Sequence, residues 1–504
     1  MIAKLYREGL DVRSFLLLIV LLGLAVTISG TTADPDLWGH VRFGLDILDT
    51  RGISQTDPYS FTSDRAWVNH EWLAEVLFAL AYRAAGPFGL NLLRLSIIAI
   101  VLALVWRRLA PVANSFFVVI AMVVTVVGIV WRVYPVRPQL FSVLMFALLL
   151  YCLTRFDTTR SARTLAAIPI ITGLWANLHG GWIVGLGTLG AWTAMRIVFT
   201  DRTPRTAALL LGTSAAALAT TLLNPYGVGL WAFIQSTVGL GRPLISDWLP
   251  MFKLPPAFWV AWIVPSAILV VACVRLGRRI DPAYVAIAAL LGIGALRVSR
   301  LDAFFALAVV FLLLPAWIAA TAPSGAADRP RRRSRLIAAL TVPAVAAALL
   351  AVSTRLTRID VRPSFVPELE AETYVRRHRL AGRMLTWFDW GQYVIWQFGP
   401  QVQVSMDGRR ETVYSDAMFA AHMRFYSGED GAVGYPDAIG ADYIWIPKRL
   451  TVASALRAAG WRAAFEGPES LILVRADRHA GPPSVVSETA DLPRTFPRRT
   501  PAGG

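Results

Sequence analysis

Cysteine is nearly absent from this chain. Two occur in 504 residues, Cys152 and Cys273, both inside apolar runs. That excludes a disulfide framework and a cysteine metal cluster, and nothing here requires a redox compartment. Charge is scarce as well, at 16% of residues, where a soluble domain averages ~25%. No internal repeat is visible, which removes solenoids. What remains is hydrophobic: 56% of residues, with a mean hydropathy of +0.53. This composition is that of a polytopic α-helical membrane protein.

Acidic residues are fewer than basic ones, 33 against 49, giving a net charge of +16. Such a balance first suggests nucleic acid. The placement of the charge argues against that. A bilayer-crossing helix needs roughly 18–20 apolar residues, and about eleven segments qualify: 14–30, 88–106, 116–131, 140–154, 165–177, 182–199, 207–223, 257–275, 283–296, 304–320 and 336–352. With the N-terminus cytoplasmic, alternate loops carry Arg107/Arg108, Arg155/Arg160/Arg163, Arg202/Arg205, Arg275/Arg278/Arg279 and a cluster at residues 329–335. The opposite short loops hold far fewer: Arg132 and Arg137, none at N-L-H-G-G, Arg242 and Lys253, then Arg297 and Arg300. This is the positive-inside pattern. The basic excess is a topology signal, and no nucleic-acid partner is expected. The first span has an apolar core longer than the ~7–15 residues of a signal peptide and reads as an uncleaved anchor.

An odd number of spans puts residues 354–504 outside, with the long first loop at 31–87. The expected organisation is a membrane domain over 1–353, an extracytoplasmic α/β domain over 354–477 and a disordered tail over 478–504. In the α/β domain YVIWQF, VQVSM, YIWIP and SLILV read as buried strands, and 417–426 and 453–460 as helices. In the first loop Trp38, Val41, Leu45 and Leu48 make one helical face, ended by Asp49 and Arg51-Gly52. A second helix starts at Asn69, with Trp72, Leu73, Val76, Leu77 and Leu80 on its apolar side. Both are expected in the interface plane.

Each helix start is acidic: Asp34 and Asp36 in A-D-P-D-L-W-G-H, Glu71 in W-V-N-H-E-W-L-A-E. Carboxylates are costly near hydrocarbon. Helix capping accounts for such residues readily. It accounts less well for the gathering of His40, Asn69 and His70 at the same two places. A carboxylate at a partly desolvated boundary has a raised pKa and is a better general base than one in water. A D-x-D pair also suits a hard divalent cation through oxygen ligands, and metal use stays open.

The whole pattern resembles the GT-C superfamily of membrane glycosyltransferases: a first span, a large outside loop with acidic residues at its head, about eleven spans and a soluble C-terminal domain. DPDLWGH followed by TDPYSFT and WVNHEWLAE is most similar to a broad bacterial group within it. The resemblance implies a polyprenyl-phosphate-linked sugar as donor and a cell-envelope glycan or lipid-linked acceptor. It implies transfer of a hexose or pentose, with inversion, on the outer face of the bacterial cytoplasmic membrane. In the family an aspartate at the head of the first loop is essential, and Asp34 and Asp36 stand there. His70 and Glu71 match the start of the second interfacial helix, although the family's proline pair is missing.

Four more residues suit the donor phosphate: Arg132 and Arg137 in W-R-V-Y-P-V-R-P-Q, His179 in N-L-H-G-G, and Arg300. Lipid snorkelling serves the first two as well. A satisfied helix-end histidine serves His179, and an internal pair with Asp302 serves Arg300. T-W-F-D-W-G-Q-Y, residues 386–393, resembles the WWDYG motif of oligosaccharyltransferase catalytic subunits, which implies acceptor contacts for Trp387 and Asp389. The motif's tyrosine is replaced by Trp390, and aromatic anchoring is the alternative. Asp407 and Arg409 in S-M-D-G-R-R are further acceptor candidates. Two other classes compete. A transporter would show inverted repeats with charges in mid-span; no matching pair of halves is seen, and few charges lie in mid-span. A catalytically silent GT-C scaffold that binds polyprenyl lipid shares every feature above.

Overall fold

The computed structural model describes residues 10–238, 248–321 and 334–497, apart from 476, 479, 487–491 and 493. Arg242 and the basic residues 329–333 lie outside the described residues. The chain divides into two compact units. One comprises Met1–Thr31 and Leu90–Thr357, the other Thr32–Gly89 and Arg358–Gly504.

The first unit is helical. Each of the eleven apolar segments is occupied by a helix. Among the described residues eight helices are long and apolar enough to cross a membrane: Val12–Ser29, Trp72–Leu109, Ser115–Val133, Gln139–Thr159, Trp182–Thr200, Pro256–Arg279, Ser299–Thr321 and Arg335–Leu356. Ala162–Leu178, Pro204–Thr220 and Pro282–Arg297 are shorter. Gln139–Thr159 and Ser299–Thr321 are the most buried of the eight, and Val12–Ser29 and Arg335–Leu356 the most exposed. Polar side chains start several of these helices: Asn114 accepts from Phe116 and Phe117 N–H, and Thr203 accepts from Thr206 N–H ahead of Pro204. The fully buried Arg94 ends another. Its guanidinium donates to the carbonyls of Ile28, Ser29 and Gly30, the last turn of Val12–Ser29. A cation there meets the negative end of the helix dipole.

The helix Trp72–Leu109 is broken at Ala85–Gly86 ahead of Pro87. The part before the break belongs to the second unit.

That second unit is built on a six-stranded mixed sheet, with β1 (Ile359–Asp360) and β8 (Thr495–Phe496) paired separately. The others are β2 (Gly382–Thr386), β3 (Val402–Val404), β4 (Tyr443–Pro447), β5 (Arg462–Glu466), β6 (Ser470–Val474) and β7 (Ser484–Val485), in the order β3-β2-β4-β6-β5-β7. β2 runs parallel to β3 and β4, and β6 antiparallel to β4 and β5. Side chains alternate between faces along a strand. Tyr443 and Trp445 therefore join one core, with Met384, Val404, Ile472 and Val474. Ile444 and Ile446 join the other, with Leu385, Leu471 and Leu473. Both faces are covered, which is why YIWIP and SLILV are apolar at every position.

The first loop completes the first of these cores. Phe43, Tyr59 and Trp67 pack among the sheet residues. TDPYSFT adds to the edge of β3: Val404 N–H donates to the Tyr59 carbonyl at 2.9 Å and Phe61 N–H to the Val404 carbonyl at 3.1 Å. The helix Leu37–Thr50 matches its expected range, ending at Arg51 with φ 54°. Its burial differs from expectation. Leu37, Trp38, Gly39, His40, Val41, Phe43 and Gly44 are all buried, not one stripe. The N-terminal half lies inside this unit, and Trp38 meets Tyr393 and Phe496 edge-on.

Two local expectations fail. YVIWQF is part of the helix Gly391–Phe398, not a strand. It follows a tight turn at Phe388–Trp390, and its burial on nearly all sides hides the helical period. The tail beyond 478, expected to be disordered, contributes β7 and β8, and Phe496 is buried against Trp38.

Candidate active site

Asp36 holds the N-cap position of Leu37–Thr50, yet its side chain makes no capping hydrogen bond. The turn is held by its neighbour: Asp34 Oδ1 accepts the Asp36 N–H at 3.1 Å. Asp36 Oδ1 lies instead against Gly408, where a Cβ would fall 1.7 Å away. Only glycine lets the strand-end turn S-M-D-G-R-R come so near. Gly39 permits a second close approach. Its N–H donates to Gln392 Oε1 at 3.0 Å, and a Cβ at 39 would collide with that oxygen. Thus D-P-D-L-W-G-H is fitted between T-W-F-D-W-G-Q and S-M-D-G-R-R.

The second helix start closes on the first. His40 Nδ1 lies 3.4 Å from Glu75 Oε1. Asn69 Nδ2 donates to Glu75 Oε2 at 2.6 Å, and Asn69 Oδ1 accepts the Glu71 N–H at 3.3 Å. His70 Nε2 lies 3.6 Å from Glu71 Oε1. Burial disfavours a charged His40, but its hydrogen bond with Glu75 and the charges of Glu71, Glu75 and Asp36 outweigh this and hold its pKa above the ordinary value. One imidazole therefore sits among three carboxylates. His40, Asn69 and Glu75 were not among the expected site residues. The signal for Glu75 was a carboxylate inside an apolar run, W-L-A-E-V-L-F.

Asp389 faces the same turn from the other motif. Burial pushes its carboxyl up and the Asp34 charge adds to this, against the opposing pull of Trp387 and Arg449. The Arg449 guanidinium lies 5.9 Å from the Trp387 ring centre.

Asp407 and Arg409 are differently placed. Arg409 donates to Asp407 at 2.7 and 2.9 Å and to both oxygens of Asp57 at 2.8 and 3.0 Å. Its guanidinium stands over the rings of Phe43, Tyr59 and Trp67 at 4.8–5.3 Å. Asp407 also accepts from Tyr414 Oη. Burial works to raise the Asp407 pKa, but the Arg409 charge and these hydrogen bonds hold it below the ordinary carboxylate range. This is a closed ion network that ties the first loop to the sheet.

The four donor-phosphate candidates belong to the membrane unit. Arg132 forms a buried pair with Asp302, at 3.0 and 3.3 Å. Arg300 stands 4.7 Å from the Trp248 ring centre. His179 Nδ1 takes the Gly181 N–H at 3.1 Å and lies 2.6 Å from Ser142 Oγ. Ser142 Oγ in turn accepts from Trp175 Nε1. Accepting the Gly181 N–H makes Nδ1 an acceptor, so Nε2 carries a ring proton. Arg137 begins the turn before Gln139–Thr159, where its carbonyl accepts the Leu140 N–H.

Among the described residues no three His, Cys, Asp or Glu side chains converge as a metal site.

No protein-family model matches the chain, and no curated protein matches it. Solved structures do. The oligosaccharyltransferase of Archaeoglobus fulgidus is 12% identical with a TM-score of 0.56, over 92% of this chain and 74% of that one. The arabinofuranosyltransferase AftD from Mycobacteria is 16% identical with a TM-score of 0.53, over 94% of this chain. This chain spans only 40% of that enzyme's length. At such identities the likeness is one of fold. The chain is similar in fold to these two solved proteins.

Proposed function

We propose that this protein transfers a sugar from a polyprenyl-phosphate donor to a cell-envelope glycan or lipid-linked acceptor, on the outer face of the cytoplasmic membrane. One observation carries the reading: Asp36, Glu71 and Glu75 surround His40 at two helix starts, and Asp36 is not used as a cap. In the closed network two carboxylates, Asp57 and Asp407, share the Arg409 guanidinium through direct hydrogen bonds. Here three carboxylates act on one imidazole.

A carboxylate in such an acidic cluster suits a general base. The acceptor hydroxyl oxygen bonds to the anomeric carbon while the bond from that carbon to the phosphate oxygen breaks. The electron pair leaves on the phosphate, and the hydroxyl proton passes to the Asp36 carboxylate. A single displacement of this kind inverts the anomeric configuration. Asp34 holds the turn, and His40 with Glu75 and Asn69 holds Glu71 in place. We assign the acceptor to Trp387 and Asp389, and the donor phosphate to Arg137, His179 and Arg300. Arg132 is the weakest donor candidate, because Asp302 already takes its charge. Asp407 and Arg409 act as supports.

The test is Asp36→Asn in the full chain, with envelope glycans read by mass spectrometry in a deletion strain. Loss of a sugar in the deletion strain, restored by the wild type and not by Asp36→Asn at equal membrane abundance, supports the proposal. Restoration by Asp36→Asn would reduce the protein to a silent scaffold.

A further inference from the structure

Arg410 follows Arg409 directly and differs from it in every contact. It is 7% exposed. Its Nε and Nη1 find no hydrogen-bond partner among the described residues. Its remaining ion pair is a long one, Nη2 to Asp416 Oδ1 at 3.4 Å. Charged pairs of this type ordinarily close to ~2.7–2.9 Å. The Asp416 side chain is 58% exposed and so keeps most of its hydration. An arginine cannot shed its charge. A guanidinium buried this deeply with two idle nitrogens is a costly arrangement that a hydrogen-bonded anion would relieve.

Its surroundings say which anion. The guanidinium lies 4.1 Å from the Phe419 ring centre, and Phe419 meets Phe388 edge-on at 5.9 Å. Phe388 stands between Trp387 and Asp389, the acceptor residues proposed above. Phe388, Phe419 and Trp387 are half-buried rings, the kind of surface on which saccharide C–H faces stack. Two residues before Arg410, Gly408 touches Asp36. The group that already leans on Arg410 is itself a carboxylate.

We propose that Arg410 recognises a carboxylate-bearing saccharide, a uronic acid unit of the acceptor, with Asp416 as the stand-in it displaces. This rests on the glycosyltransferase reading for the word acceptor, but its test needs no donor and no transfer.

The full chain in lipid nanodiscs is titrated calorimetrically with trigalacturonate and with its neutral methyl ester. The acid should bind at least tenfold more tightly than the ester. Arg410→Gln should erase that preference and leave ester affinity within twofold, which also reports an intact fold. Asp416→Asn should tighten the acid alone. If Arg410→Gln fails to fold, the Asp416→Asn arm decides, and unchanged affinity there overturns the proposal. So does equal binding of acid and ester, a preference that survives Arg410→Gln, absence of binding, or inorganic phosphate competing better than free galacturonate. Failure of Asp36→Asn to block transfer would sink the proposed function and leave these affinities untouched.

Discussion

Two groups of carboxylates in the second unit are held in opposite ways. Asp57 and Asp407 share one arginine, their side chains are wholly buried, and each oxygen's partner is a fixed group. Asp36, Glu71 and Glu75 all act on His40, Glu71 also lies 3.6 Å from His70, and the Asp36 side chain makes no capping bond. The first arrangement is complete without a substrate. On the proposed function the first is a support and the second the working site, although both come from short motifs rich in Asp, Pro and Gly.

Breaking the closed group should cost the most. Arg409→Met strands two buried carboxylates, and removing one partner of such a network costs about 3–5 kcal/mol. A thermal melt of the full chain in nanodiscs should show early unfolding of the C-terminal sheet, read by hydrogen exchange at β3. Unchanged exchange there would mean that the network does not tie loop to sheet. Asp36→Asn should do the reverse. General-base loss lowers a rate by roughly 10²–10⁴, with the melting profile kept. A large fall in stability from Asp36→Asn would make the two groups alike and remove the contrast.

A third change sharpens the comparison through pH. His422 is fully buried, with Nδ1 between the Met418 carbonyl and Tyr435 Oη, at 3.0 and 2.9 Å. Burial pushes its pKa down to about 4 from 6.5. Its neutral form is the folded one, so its contribution is complete above pH 6.5. That contribution is lost as pH falls toward 4, up to about 3 kcal/mol. His422→Phe should flatten this part of the acid-stability curve. His40, whose pKa moves the other way among its carboxylates, should not produce such a loss. A wild-type curve flat between pH 6.5 and 4 would refute the assignment.

Much of this was legible in the sequence, for physical reasons that also explain the misses. The apolar segments and YIWIP and SLILV declare themselves because burial repeats at 3.6 or at every strand position. YVIWQF fails because a helix buried on all sides carries no stripe. The head of the first loop was legible as costly charge. Its partners were not: Arg409 lies 352 residues from Asp57 and Thr62 lies 343 from Ser405. Nothing local in D-G-R-R tells which arginine is satisfied. That is decided by Asp57 and by Asp416, from different elements.

The smallest expected effect isolates a carboxylate from the same loop. Asp64 accepts the Ser415 N–H at 2.7 Å and its hydroxyl at 2.5 Å, at the start of the helix Asp416–Ser427. It resembles Asp36 in type and in loop, but its oxygens hold Ser415, the N-cap residue of that helix. Asp64→Ala should therefore cost about 1 kcal/mol, visible as a slight fall in melting temperature, and leave sugar transfer at the wild-type rate. If transfer fell as far as with Asp36→Asn while stability stayed level, the effect would not be particular to Asp36, and the contrast between the two groups would no longer distinguish the site.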